Sequence, residues 1–149
     1  MRDGQVAMLA GTVALALLAG ALGFQYLGHL APCEMCHWQR WPHIGAAIVG
    51  LCGTQMFKKE TRLLAVIVLL LVAVSGLIGA YQQGMQWHLL PGPTARTGQR
   101  FVMGSNIVPV VQCDVVTWQL FGLSLAGYNA IISLATAAIG TSLLVKNRK

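Results

Sequence analysis

Pro32-Cys33-Glu34-Met35-Cys36-His37-Trp38-Gln39-Arg40-Trp41-Pro42-His43 is a short polar island between two long apolar runs, and the fold follows from what flanks it. Upstream, about Val6 to Gly28 carries no charge and is long enough to cross a hydrocarbon core of roughly 30 Å. Downstream, Trp41 to Phe57 is a shorter apolar run with aromatic residues at both ends, the side chains that favour the headgroup level. The island therefore reads as a connection outside the bilayer that joins two spanning helices.

Two more runs extend the pattern. Leu63 to Ala80 follows the charged turn Lys58-Lys59-Glu60-Thr61-Arg62, and about Leu123 to Val145 precedes Lys146-Asn147-Arg148-Lys149. Between them, Gly84 to Gly122 contains Pro91, Pro93, Pro109 and several glycines, which a continuous spanning helix does not tolerate. The sequence thus predicts an all-α polytopic membrane four-helix bundle, a single integral membrane domain over 1–149. Its spans lie at about 6–28, 41–57, 63–80 and 123–145, with two outer loops at about 29–40 and 84–122. Composition agrees: 56 % of the 149 residues are hydrophobic and 9 % are charged, where soluble domains carry roughly a quarter charged. The first run is too long for the apolar region of a signal peptide, so it reads as a retained helix. In the second loop, Phe101 to Val111 mixes apolar residues with Gly104, Ser105, Asn106 and Pro109, a composition suited to a segment lying in the interfacial plane near Cys113.

The net charge of +6 does not indicate nucleic acid, because the basic residues sit at the edges of apolar runs rather than in one patch. Seven of the ten, Arg2, Lys58, Lys59, Arg62, Lys146, Arg148 and Lys149, fall on the side of the termini. Arg40, Arg96 and Arg100 fall on the other. The positive-inside rule makes both termini and the Lys58 turn cytoplasmic, with membrane lipid around the spans. The Cys33–Cys36 loop and the loop carrying Cys113 then face the opposite compartment; for the inner (plasma) membrane of a Gram-negative bacterial cell that would be the periplasm, where disulfides form and persist.

Two cysteines separated by two residues close a small disulfide ring that is readily reduced and reformed, and one of the pair commonly has a lowered pKa. If a helix starts near the motif, Cys36 lies in its first turn, where free backbone N–H groups favour an anion. Arg40 shares that helix face, with His43 one turn further on. A guanidinium there stabilises a thiolate and can bind an acceptor oxygen; an interfacial anchor reaching for phosphate headgroups is the other use of such an arginine. A zinc half-site completed by His37, His43 or Cys113 is opposed by the adjacent Arg40, so no metal is expected. Cys52 reads as an inert packing residue of the second span, and Trp38, Trp41, Trp87 and Trp118 as interfacial belt residues.

These features resemble the disulfide bond formation protein B (DsbB) family of inner-membrane thiol:quinone oxidoreductases. The resemblance rests on four spans, Pro32-Cys33-x-x-Cys36 followed by Gln39-Arg40, Pro91-Gly92-Pro93, Cys113-Asp114, Trp118, and Phe121-Gly122-Leu123-Ser124-Leu125 leading into the fourth span. It implies that Cys36 attacks and is reoxidised by a bound quinone (ubiquinone or menaquinone). It also implies Cys33 as the exchange partner, Arg40 beside the quinone oxygen, and Cys113 as the second cysteine of an outer-loop pair. The partner it implies is a soluble periplasmic thioredoxin-fold dithiol oxidase of the DsbA type. The chain departs from the family pattern at Arg96 and Thr97, where another cysteine is expected, and at Tyr81-Gln82-Gln83-Gly84, where a histidine is often found. Two functions are consistent with this: an oxidoreductase impaired by the missing cysteine, or a non-catalytic membrane protein of the same fold that binds a partner or metal through its outer loops.

Overall fold

The computed structural model describes residues 3–91 and 113–147, together with the backbone at 102–103 and 106–107. Among the described residues, helix α1 spans Asp3–Tyr26, α2 Glu34–Ile48, α3 Thr54–Met56, α4 Thr61–Gln86 and α5 Leu125–Lys146. A π-helical turn, Val49–Gly53, joins α2 to α3, so the chain is helical from Glu34 to Met56. The molecule is an all-α membrane protein, and α1, α4 and α5 are each long and apolar enough to cross a bilayer.

The helices run further than hydropathy alone suggested. Glu34–Arg40, expected within the first outer loop, is the start of α2, because Cys33 caps it: the Cys36 N–H donates to Cys33 Sγ at 3.4 Å. That contact satisfies one of the backbone donors that every helix start leaves free. Helix α4 likewise continues past Ala80 to Gln86, carrying Gln82 and Gln83 into the bundle.

α4 is central and packs on α1, α2 and α5. One core joins Val6, Ala7, Ala10 and Ala14 of α1 with Ala46, Ala65, Val68, Leu69, Val72 and Leu144. Small residues dominate because association in lipid depends on close backbone approach rather than on expelling water. The π turn serves this approach: a Cβ placed on Gly50 would lie 2.6 Å from Ala7 O and 2.9 Å from Gly11 Cα. The outward faces carry Leu63, Leu70, Leu77, Ile131 and Ile139, as lipid contact requires. Thr12, Thr136, Thr141 and Ser142 return their hydroxyls to carbonyls four residues back and leave no donor facing hydrocarbon.

Two small antiparallel pairs decorate the bundle: β1 (Val102–Met103) with β2 (Asn106–Ile107), and β3 (Gln119–Leu120) with β4 (Leu123–Ser124). The second turns through Phe121 and Gly122, both at positive φ (52° and 76°), the geometry of a tight hairpin. It delivers Ser124 to the start of α5, where its hydroxyl accepts from the Gly127 N–H at 3.4 Å. Gln83 Oε1 in turn accepts from both the Ser124 N–H and its hydroxyl, each at 3.0 Å, fastening α5 to α4.

Candidate active site

Cys33 and Cys36 occupy the cap and first turn of α2, and their sulfurs lie 3.0 Å apart as free thiols. Cys33 is buried and Cys36 half-buried. Gln82 of α4 reaches across and donates from Nε2 to Cys33 Sγ at 3.2 Å and to Cys36 Sγ at 3.6 Å. Both sulfurs precede the apolar part of α2. The hydrogen bond from Cys33 holds Cys36 down at about 6, against the opposing push of burial; Gln82 and the Arg40 charge act in the same lowering direction. Cys33 is pushed well above the usual thiol range, first by the hydrogen bond it shares with Cys36 and then by burial. The pair therefore loses its first proton from Cys36, leaving one thiolate and one thiol in contact.

Cys113 joins this end of the molecule. It is buried in a cluster with Cys33, Met35 and Met85, against which Cys36 and Ile78 pack. The three cysteines expected to act together are thus together. Positions 96 and 97, where the family pattern places another cysteine, lie outside the described residues, as do the side chains of the segment expected to lie in the interface. Cys52 is exposed on the flank of the π turn. It is not the packing residue expected, because an apolar run gives no sign of which face meets lipid.

Arg40 and His43 continue along α2. Arg40 donates from Nη1 to Gln25 Oε1 of α1 at 2.6 Å, while its buried Nε has no partner among the described residues. This ties Arg40 to the bundle. His43 is buried and meets Asn129 Oδ1 at 2.8 Å and Ser75 Oγ at 3.0 Å through Nε2, and its Nδ1 is likewise unpartnered.

Cys36, Gln39, Arg40 and His43 form one wall of a cavity of about 380 Å³ between α1, α2 and α5. Ala16, Leu17, Gly20, Ala21 and Phe24 form the α1 wall, and Leu125, Ala126, Tyr128, Asn129 and Ile132 the α5 wall. Trp118 also lines it; its ring lies 5.1 Å from that of Phe24 and 6.3 Å from that of Tyr128. It is a cavity residue, where the sequence suggested a belt residue. The size and mostly apolar lining fit a ring-sized organic ligand held by a few polar groups. Among the described residues no group of three or more His, Cys, Asp or Glu side chains, the cysteine cluster included, is arranged so that it could hold a metal ion.

Sequence reasoning missed the polar chain that runs inward from the cysteines. Gln39 Nε2 donates to Gln82 Oε1 at 2.6 Å, Asn129 Nδ2 donates to Gln39 Oε1 at 2.7 Å, and Ser133 Oγ donates to Asn129 Oδ1 at 2.9 Å. Its one sequence signal was the presence of Ser75, Gln82, Asn129 and Ser133 within or beside apolar runs, since uncompensated polar groups there are costly.

The sequence profile of the disulfide bond formation protein DsbB family matches residues 3–143. The chain is 31 % identical over 152 residues to Disulfide bond formation protein B of Aromatoleum aromaticum, covering 89 % of each protein. It is 29 % identical over 156 residues to the protein of that name from a Polaromonas species, covering 95 % of this chain and 90 % of the other. With that of Burkholderia thailandensis it shares 27 % over 154 residues, covering 96 % and 90 %. No solved structure matches the chain.

Proposed function

The chain belongs to the disulfide bond formation protein DsbB family, and we propose that it oxidises thiols at the periplasmic face of the bacterial inner membrane with a quinone as electron acceptor. The observation that carries the quinone is the cavity: a mostly apolar slot with Cys36, Arg40 and His43 on one wall, where Arg40 Nε and His43 Nδ1 are buried without a partner among the described residues. A flat apolar ring with a carbonyl oxygen turned to the Arg40 Nε–H fits this wall. When bound, a quinone takes up the two electrons and two protons released as Cys33 and Cys36 close to a disulfide.

The protein's own part is to poise and to position. Cys36 is the attacking sulfur, held as thiolate by the Cys33 thiol, Gln82 and Arg40. Cys33, packed with Cys113, exchanges with the second outer segment, and mixed disulfides carry the reaction in the direction set by relative potentials. The partner in this reading is a soluble periplasmic thioredoxin-fold dithiol oxidase of the DsbA type. Because Cys113 is the only cysteine of the second loop, exchange with that partner is slow. Both termini are cytoplasmic in this reading, as the distribution of Lys and Arg supports.

One experiment addresses these points together. Sealed right-side-out membrane vesicles containing the protein and a short-tailed ubiquinone receive an impermeant dithiol peptide from outside. Loss of quinone absorbance is expected there, none in inverted vesicles, and only background for Cys36→Ser. Arg96→Cys is expected to raise the rate with a thioredoxin-fold partner. Absence of any Cys36-dependent quinone loss sinks the reading.

A further inference from the structure

His43 carries two hydrogen-bond acceptors against the same nitrogen. Asn129 is fixed in one orientation, because its Nδ2 donates to the Ser75 backbone carbonyl at 3.3 Å as well as to Gln39 Oε1; its Oδ1 can therefore only accept. Ser75 Oγ donates to the Gln39 carbonyl at 2.9 Å, which uses its one hydrogen. Both neighbours thus accept at His43 Nε2, at 2.8 and 3.0 Å, so Nε2 carries the proton. In the neutral ring Nδ1 is then a bare lone pair. It is buried, unpartnered among the described residues, and belongs to a side chain that is 4 % exposed and lines the cavity.

A buried acceptor without a donor is costly to leave unmade and favours a ligand that brings the donor. Taking the proposed quinone reading of the cavity as its basis, we propose that His43 is a specificity-determining residue whose Nδ1 accepts a hydrogen bond from a ring hydroxyl. The cavity accordingly holds a hydroxyl-bearing aromatic ligand, such as the reduced quinone, in preference to the same ring without that donor. Arg40 Nε–H supplies the complementary donor on the same wall. The amide and hydroxyl chain running from the cysteines holds the ring of His43 through Nε2.

The test uses two probes that exchange no electrons with thiols, para-decylphenol and its methyl ether, on the purified full chain in detergent. Binding is read by quenching of tryptophan fluorescence, Trp118 being in the cavity wall. The unaltered protein is expected to bind the phenol roughly tenfold more tightly than the ether, about the worth of one buried neutral hydrogen bond. His43→Gln keeps a donor in place of Nε2 but has no acceptor in place of Nδ1, and is expected to bind both probes equally. Should that variant not fold, nitrogen NMR of the histidines in the unaltered protein serves the same end. One ring nitrogen in the unprotonated range should move on adding phenol and stay still on adding ether. Equal affinity for the two probes in the unaltered protein, a preference that persists in His43→Gln, or an unmoved resonance overturns the assignment while leaving the cavity reading standing. Failure of both probes to bind overturns both.

Discussion

Toward the end of the bundle that holds Asp3 and Asn147, helices α1, α2 and α4 meet through Ala7, Ala10, Ala46, Ala65 and Val68. Toward the cysteine end, α2, α4 and α5 meet through Gln39, His43, Ser75, Gln82, Asn129 and Ser133. The first contact is apolar and close. It tolerates any residue small enough and leaves helix rotation only loosely specified by chemistry. The second is polar and directional, and each group is satisfied only if its neighbours hold one geometry. Such a chain in a membrane gains little stability, because polar groups find other partners in the unpacked state too. What it supplies is position: the sulfurs, Arg40 and the imidazole are fixed relative to the cavity.

The contrast makes opposite demands on substitution, and the largest effect should come from the close-packed end. Gly50→Val puts a branched side chain where even a Cβ would stand 2.6 Å from Ala7 O. A loss of about 1–3 kcal/mol is expected in thermal unfolding in detergent. Gly20→Ala, with nothing within 4 Å of its new Cβ, should lie within about 0.5 kcal/mol of the parent. If the two variants melt alike, close packing is not what holds this end.

At the polar end a substitution should disturb chemistry before stability. In the unaltered protein, alkylation of Cys36 should slow as pH falls through about 6, because the thiolate takes up its proton there. Gln82→Leu removes a donor that favours the thiolate, so the midpoint should move upward, by about one pH unit if one hydrogen bond is lost. A midpoint unchanged in this variant removes Gln82 from the thiolate's environment. The smallest effect should be at Arg40→Lys. The charge survives but the planar fork does not, and short-tailed quinone affinity should weaken roughly fivefold with folding intact. Unchanged affinity removes Arg40 from the site.

The same contrast explains what could be read in the sequence. The apolar runs announced the membrane helices because lipid imposes composition over a whole span, and the Cys33–Cys36 spacing announced redox chemistry because it is local. The start of α2 was legible only in part: a helix beginning near the motif puts Cys36 in its first turn, yet Glu34, His37, Gln39 and Arg40 look like loop residues until Cys33 is seen to cap them. Gln82, Asn129 and Ser75 carried no mark of whom they would meet, since that depends on helix rotation and crossing. Cys52 and Trp118 show the matching difficulty for apolar residues. Lipid, core and cavity wall select similar side chains, so exposure of Cys52 and the cavity position of Trp118 follow only from packing.

The fastening of Ser124 by Gln83 bears on when the protein becomes competent during its synthesis. A growing chain that has emerged through α4 already carries the Cys33–Cys36 pair, its Gln82 contact, Arg40 and His43. It lacks Asn129, which orients the imidazole, and Leu125, Tyr128 and Ile132, which complete the cavity. Thiol chemistry is thus on the chain early, and the wall that directs it comes from the helix made last. Insertion of α5, fastened to α4 by Gln83 at its start and by Asn129 to Ser75 further along, is the step that turns a pair of reactive thiols into a site.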